Sequence, residues 1–249
     1  MFSPAKGFPY RRFFRRLHSK YIFDWYLEIG CREGTILSMV QGKTIGVDPH
    51  FRLSSGVLGK KPEMLLYQEE SDTFFANGRL ERLGAKISVA FIDGMHLFEY
   101  ALRDVLNTER SMAPDGVIFV HDCFPRNTKM TTRDLSSLPE IWTGDVWKLI
   151  PILQEHRPDL KLTAFDAAPT GLLAITGLDP KQSHLKIGTS LEDIVSHYQD
   201  MEIDEFGIER FFEQLPFSSA LDEVRASFPI AAHLHRPELA LPEVSIVTP

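Results

Sequence analysis

The sequence predicts an α/β fold: a doubly wound sheet of seven strands, parallel except at its last strand, followed by a C-terminal helical extension. Three observations predict it. Short β-type runs alternate with helical stripes from residue 24 onward. The central runs, 87–93 (ISVAFID) and 116–122 (GVIFVHD), are almost continuously apolar, as parallel strands covered on both faces must be. Two further runs, 160–165 and 171–176, are separated only by residues 166–170. A parallel crossover takes about a dozen residues or more, so these two must pair antiparallel.

The elements follow in order. Phe13, Phe14 and Leu17 fall at helical spacing, with Arg11, Arg12, Arg15 and Arg16 on the other side, so residues 1–20 read as a helical segment with a solvated basic face. Strand one is 24–29 (DWYLEI), strand two 43–48 (KTIGVD) and strand three 64–67 (MLLY). Ser71 is placed to cap a helix through Phe74 and Phe75 that stops at Asn77-Gly78. Strand four is 87–93. Leu97, Phe98, Ala101, Leu102, Val105 and Leu106 then form an apolar stripe, with Glu99, Arg103 and Asp104 on the opposite face. Residues 113–116 (APDG) form a turn that launches strand five at 116–122. Val146, Leu149, Ile150 and Leu153 imply a helix before strands six and seven. After Gly177 the apolar stripes in 190–201, 204–215 and 218–227 predict three helices, and the Pro-rich tail from Pro237 is irregular. The main domain is therefore 21–180, and 181–249 is a helical cap on it or a dimer arm.

Bulk properties narrow the function classes. A chain of 249 residues, 43% hydrophobic and 24% charged, can bury a core and is not disordered. A net charge of −7 argues against nucleic acid as a partner, because phosphate backbones require clustered cations. Two cysteines, Cys31 and Cys123, make no disulfide framework and fit a reducing compartment. No apolar run approaches a membrane span, and the N-terminus lacks a signal-peptide core. A cytoplasmic protein with no membrane partner is expected.

Strand one runs into LEIGCREGT, a strand end followed by a glycine loop with Gly30 and Gly34 after Glu28. Such a loop lets a nucleotide-like ligand approach backbone N–H groups. The G-x-G-x-x-G spacing that cradles a pyrophosphate is absent, and Glu28 repels phosphate. Strand two ends in Asp48, an acid at the spacing that accepts ribose hydroxyls. Two acids without a phosphate grip point to a nucleoside carrying positive charge, which is S-adenosylmethionine.

YLEIGCREGT, TIGVDPH, FIDGMHLFEYALRD, APDGVIFVHDC and GDVWKLIPIL together resemble class I S-adenosylmethionine-dependent methyltransferases. The nearest likeness is to the branch of the macrocin and mycinamicin sugar O-methyltransferases, and it spans residues 20–177. The resemblance implies a Rossmann-like fold. It implies that Glu28, Gly30 and Gly34 hold the methionine part of the cofactor and Asp48 the ribose. Residues 69–72, with Ser71 and Asp72, lie near the adenine, and Asp93 completes the cofactor set.

Ligands of doubly wound sheets bind outside the carboxyl ends of the strands. Asp93 ends strand four and His121-Asp122 end strand five, so with His96 they converge where a methyl group would be presented. Transfer to a hydroxyl is an in-line displacement that needs the alcohol oriented and its proton removed. The resemblance implies that Asp93 and Asp122 hold a divalent metal, magnesium or manganese, and that His96 is the base. The chain departs from the family at His121, where an acid is common. As a third ligand, His121 brings iron and zinc into range as well. The bland alternatives are Asp93 capping the helix near Leu97, His96 on its first turn, and His121 bonded to Asp122. A helix N-terminus is expected to keep His96 neutral. Arg126, Lys129 and Arg133 form a polar lid or meet an anionic acceptor, Trp142 and Trp147 wall the pocket or pack a helix, and the cysteines pack at strand ends.

The expected function is O-methylation of a small polar acceptor, a sugar or glycosylated metabolite, assisted by a metal, in a chain that can form a homodimer. The rivals are a non-catalytic cofactor-binding scaffold and a methyltransferase for a non-oxygen acceptor.

Overall fold

The computed structural model describes residues 1–185 and 188–234. Eight strands make one open, Rossmann-like sheet in the order β3-β2-β1-β4-β5-β7-β6-β8. Their bounds are β1 Trp25–Ile29, β2 Lys43–Val47, β3 Met64–Tyr67, β4 Ile87–Ile92, β5 Met112–His121, β6 Lys161–Phe165, β7 Leu172–Thr176 and β8 Phe217–Ser218. Strands β1 to β5 run parallel, and β7 pairs antiparallel with both β5 and β6. The short 166–170 link therefore does what its length requires.

The strand count corrects the expected seven. The eighth, β8, is two residues long and pairs parallel with β6 through Ala164↔Phe217 and Phe165↔Ser218. Two residues show no periodicity, and these two fall at the boundary between the helices expected at 204–215 and 218–227. Strand β5 also starts earlier than expected. Met112 pairs with Ile87 and Val117 with Val89, so residues 113–116 bulge out of the strand rather than form a turn before it.

Helices cover both faces. In chain order they are α1 Tyr10–Lys20, α2 Ser71–Ala76, α3 Arg79–Leu83, α4 Phe98–Glu109, α5 Leu149–His156, α6 Leu191–Tyr198, α7 Ile203–Phe206, α8 Ile208–Gln214, α9 Ala220–Arg225 and α10 Pro229–Ala232. On one face Phe98, Leu102 and Val105 of α4 and Leu149, Ile150 and Leu153 of α5 share a buried cluster with Ile45, Ile92 and Ile118. Each such side chain contributes about 1.5–3 kcal/mol when fully buried. Tyr198 of α6 meets Phe98, and Phe211 of α8 meets Trp147 and Phe124, so α6 to α8 pack on this face, while Ala220 of α9 and Ala231 of α10 pack on the other with α1.

The other face belongs largely to α1. Phe13 lies 5.7 Å from Phe119 and 5.5 Å from Phe165, ring centre to ring centre, and Phe14 lies 4.6 Å from Phe91. Arg11, Arg12, Arg15 and Arg16 point outward and are exposed. Anchored in this way, α1 brings its first residue, Tyr10, to the carboxyl end of the sheet.

Two local expectations are corrected. Ser71 is the first residue of α2 rather than its cap. Glu70 holds the cap position with extended backbone and no side-chain cap bond. Asp104 does not face solvent with Glu99 and Arg103. It is buried, and burial raises its carboxyl to about 7. The tail from Pro237 lies outside the described residues. Both cysteines are free and buried. Among the described residues no helix is long and apolar enough to cross a membrane.

Candidate active site

A cavity of about 950 Å³ opens outside the carboxyl ends of β1, β2, β4 and β5. Its size suits a nucleoside-sized ligand together with a small acceptor. One end is built from β1 and β2. Glu28 is buried one residue before the end of β1, and its Oε2 accepts the Tyr26 hydroxyl at 2.8 Å. Burial pushes its carboxyl up to about 8, against the smaller opposing effect of that hydrogen bond. Asp48 follows β2. Its Oδ2 accepts the Arg32 N–H at 2.8 Å and its Oδ1 the His50 N–H at 2.7 Å. Each oxygen keeps a second lone pair.

The two loop glycines play different parts. Gly30 lines the cavity at φ +85°, and a Cβ there would sit 2.1 Å from the Asp93 carbonyl oxygen. The residue is glycine because two strand-end loops touch at that point. Gly34 does not line the cavity. Its position, at φ +71°, faces Leu53 and Val57. Ser71 and Asp72 do line it, but both Asp72 oxygens are held by Arg103 at 2.8 and 2.7 Å.

The other end is a carboxylate–imidazole corner. His96 Nε2 lies 3.5 Å from Asp93 Oδ1 and 3.4 Å from Asp122 Oδ2. His121 Nδ1 lies 3.2 Å from Asp93 Oδ1 and 3.3 Å from Asp122 Oδ2. Asp122 adopts φ +59°, a left-handed conformation that Asp tolerates better than most residues. Its Oδ1 accepts the Thr170 hydroxyl at 2.5 Å. Among the described residues, Asp93, His96 and Asp122 form a group whose donor atoms all lie within 4.8 Å of one another, a spacing that can hold a metal ion.

Each imidazole is backed by an aromatic ring. Trp142 stacks on His96 at 4.9 Å and 28°, and Tyr10 covers His121 at 4.1 Å. The Trp142 carbonyl accepts from His96 Nδ1 at 2.9 Å. A carbonyl can only accept, so Nδ1 carries the proton and Nε2 is the nitrogen aimed at the carboxylates.

Electrostatics reverse one expectation. Helix α4 begins at Phe98, two residues after His96, and two carboxylates face the ring. Burial pulls His96 down, but the hydrogen bond to Asp93 and the charges of Asp122 and Asp93 outweigh it, and its pKa rises to about 9. Burial opposes the charge of His121 too, and Asp122 and Asp93 hold it well above the usual histidine range. Burial would raise Asp93, yet the His121 and His96 partners hold it far below the usual carboxylate range.

Asp93 does not cap α4. Asp145 does, from across the cavity wall: its Oδ1 accepts the Phe98 N–H at 2.9 Å, and its Oδ2 pairs with Arg133 at 2.6 Å and Lys148 at 2.8 Å. Arg133 is thereby a structural cation, held also by Glu99. Trp142 walls the cavity, whereas Trp147 is core. Three site residues escaped the sequence reading. Asp145 stands in the GDVWKLIPIL motif without a role, Thr170 lies in a segment read only as a connection, and Tyr10 reaches the site only because of how α1 packs.

Residues 27–123 match the profile of a family described as a methyltransferase domain. No curated protein matches the chain. Among solved structures, the O-methyltransferase TomG from Streptomyces achromogenes, in complex with SAM, is 14% identical, with 67% of this chain and 78% of that chain covered and a TM-score of 0.48. The SAH-bound methyltransferase from Podospora anserina is 15% identical over 68% of this chain and 77% of its own, with a TM-score of 0.46. MycE of the mycinamycin pathway, in complex with Mg, SAH and mycinamycin VI, is 16% identical over 72% of this chain and 50% of its own, with a TM-score of 0.43.

Proposed function

We propose that the protein transfers a methyl group from S-adenosylmethionine to a hydroxyl of a small polar acceptor, a sugar or glycosylated metabolite, with a divalent cation at the Asp93–Asp122 corner. The observation that carries this reading is one continuous cavity that joins two strand-end acids, Glu28 and Asp48, to the carboxylate–imidazole corner. Its chemistry fits the cofactor. Among the described residues the buried Glu28 has one hydroxyl donor and no cation bonded to it, so a cationic methionine group supplies what it lacks. The free lone pairs of Asp48 suit a ribose diol.

The corner fits a cation as well, with Asp93, Asp122 and an imidazole nitrogen as its donors. A divalent ion there supplies the positive charge that acidifies an acceptor hydroxyl. The remaining work belongs to the protein. Tyr10 and Trp142 flank the corner and position the acceptor ring between them. With a cation at the corner, the carboxylate charge that holds a proton on His121 is taken up and that imidazole is left free. The hydroxyl proton then passes to it as the acceptor oxygen bonds to the methyl carbon and the sulfur–carbon bond breaks. Thr170 lies 3.4 Å from His121 Nε2 and suits a donor there, which leaves Nδ1 as the accepting atom.

Calorimetry on Asp48→Ala tests the reading. Loss of two charge-assisted bonds of about 1.5–3 kcal/mol each lowers affinity for S-adenosylmethionine at least tenfold. An unchanged affinity in a variant that melts normally removes the cofactor assignment.

A further inference from the structure

We propose that the corner at the ends of β4 and β5 is a mixed nitrogen–oxygen centre, in which His96 Nε2 joins Asp93 and Asp122 as a ligand, so that it favours imidazole-accepting ions such as Zn²⁺, Co²⁺ or Fe²⁺ over Mg²⁺. The inference rests on the cation reading above and deepens it.

Distances come first. An ion bound at about 2.0–2.2 Å by nitrogen and oxygen sets neighbouring donors about 3.0–3.4 Å apart, from octahedral to tetrahedral geometry. His96 Nε2 stands 3.5 and 3.4 Å from the two carboxylate oxygens, wide for hydrogen bonds and close to a ligand edge. The three donor atoms form one group. His121 Nδ1 stands 3.2 and 3.3 Å from the same oxygens, so distance does not separate the two imidazoles, but His121 is not part of that group and lies under the Tyr10 ring.

His96 is also built as a ligand. Metal-bound imidazoles usually donate their second N–H to a fixed acceptor, which sets tautomer and ring angle. Here Nδ1–H meets the Trp142 carbonyl at 2.9 Å, and the Trp142 indole N–H is itself tied to the Thr132 carbonyl at 2.8 Å. The His96 carbonyl accepts the Asp145 N–H at 3.2 Å. Gly144 permits that approach, since a Cβ there would sit 1.6 Å from the His96 oxygen. Asp122 is prepared in the same way: Thr170 occupies Oδ1 and leaves Oδ2 toward the group. Two carboxylates and one clamped imidazole do not form the all-oxygen shell that Mg²⁺ prefers.

The test uses the full chain stripped with chelator, without cofactor, titrated with Zn²⁺, Co²⁺ and Mg²⁺ by calorimetry. Zinc outbinds magnesium at most donor sets, so the deciding quantity is which variant narrows the gap. His96→Ala should weaken Zn²⁺ and Co²⁺ at least tenfold and leave Mg²⁺ within about threefold. His96→Asp should shift the preference toward Mg²⁺, and His121→Ala should keep the wild-type preference. Pulsed EPR of the Mn²⁺-loaded chain reads the ligand directly: imidazole nitrogen coupling is expected in wild type and His121→Ala and not in His96→Ala. The proposal is overturned if wild type binds no ion, if Mg²⁺ matches Co²⁺, or if His121→Ala rather than His96→Ala removes the nitrogen coupling. Cofactor binding at Asp48 is measured separately on the metal-free chain, so failure of one assignment does not hide failure of the other.

Discussion

Glu28 and Asp93 sit at the ends of adjacent strands, line one cavity and are both penalised by burial, yet they end in opposite states. Burial carries Glu28 up to about 8, because its donor is a neutral hydroxyl. Asp93 is held far below the carboxylate range, because two imidazoles face it. Desolvation is common to both, so the difference is made by the partner's charge. The β1 end is short of a cation and suits a ligand that brings one. The β4–β5 end holds its positive charge as protons on His96 and His121, in the place where a metal would hold it.

The largest expected effect breaks that comparison at the corner. Asp93→Asn removes the charge that both imidazoles and a metal use. Turnover should fall roughly 10²–10⁴-fold, the scale of lost proton transfer. Affinity for S-adenosylmethionine, measured by calorimetry, should stay within about threefold, because the Glu28–Asp48 end is untouched. A parallel loss of affinity would mean the two ends are one site.

Glu28→Gln sharpens the other end. The Glu28 pKa is raised from 4.5 to about 8 on folding, so the folded state holds the proton more tightly. The stability it contributes is complete below 4.5 and is lost as pH rises toward 8. Gln carries no such charge. Denaturant melts of the ligand-free chain should show the variant more stable than wild type at pH 8, by a few kcal/mol at most, with little difference near pH 4.5. Asp104 has the same sign of shift, so part of the alkaline loss should persist in the variant. The same variant should bind S-adenosylmethionine about tenfold more weakly, having lost the charge opposite the ligand's cation. If the alkaline limb is unchanged, Glu28 is charged in the free protein.

Much of the sheet was legible because its signals are local. The apolar run of 87–92, the short link 166–170 and the stripe from Phe98 to Val105 each carry their own period or length. The strand-end acids were legible for the same reason, since topology fixes where a strand end lies. What escaped depends on contacts distant in sequence. Tyr10 reaches His121 because Phe13 and Phe14 anchor α1 across the sheet. Thr170 reaches Asp122 across 48 positions of chain, and Asp145 caps a helix that starts 47 residues earlier. The neutral His96 that the helix start implied is overturned by the two carboxylates that face its ring. The helix begins at Phe98, as its stripe implied, and two carboxylates in direct contact outweigh a dipole that starts two residues on.

The smallest effect concerns a third buried group, which isolates burial from charge. His18 lies on α1, fully buried among Phe14, Phe23 and Tyr26, and neither ring nitrogen has a hydrogen-bond partner among the described residues. Among the described residues no carboxylate faces it as Asp93 and Asp122 face His96. Burial, with a smaller push from Lys61, lowers its pKa from 6.5 to about 3. The folded state therefore keeps His18 neutral while the unfolded chain takes up a proton below 6.5. Its contribution is complete above 6.5 and is lost as pH falls toward 3. His18→Leu keeps a similar volume and removes both unpartnered nitrogens. Urea melts should place variant and wild type within about 1.5 kcal/mol at pH 7.5. Below 6.5 the variant should gain on wild type by about 1.4 kcal/mol per pH unit, which is roughly 2 kcal/mol at pH 5. Equal acid slopes would mean that His18 is solvated or paired in solution. The contrast with His96 and His121 would then have to be drawn without burial as the common term.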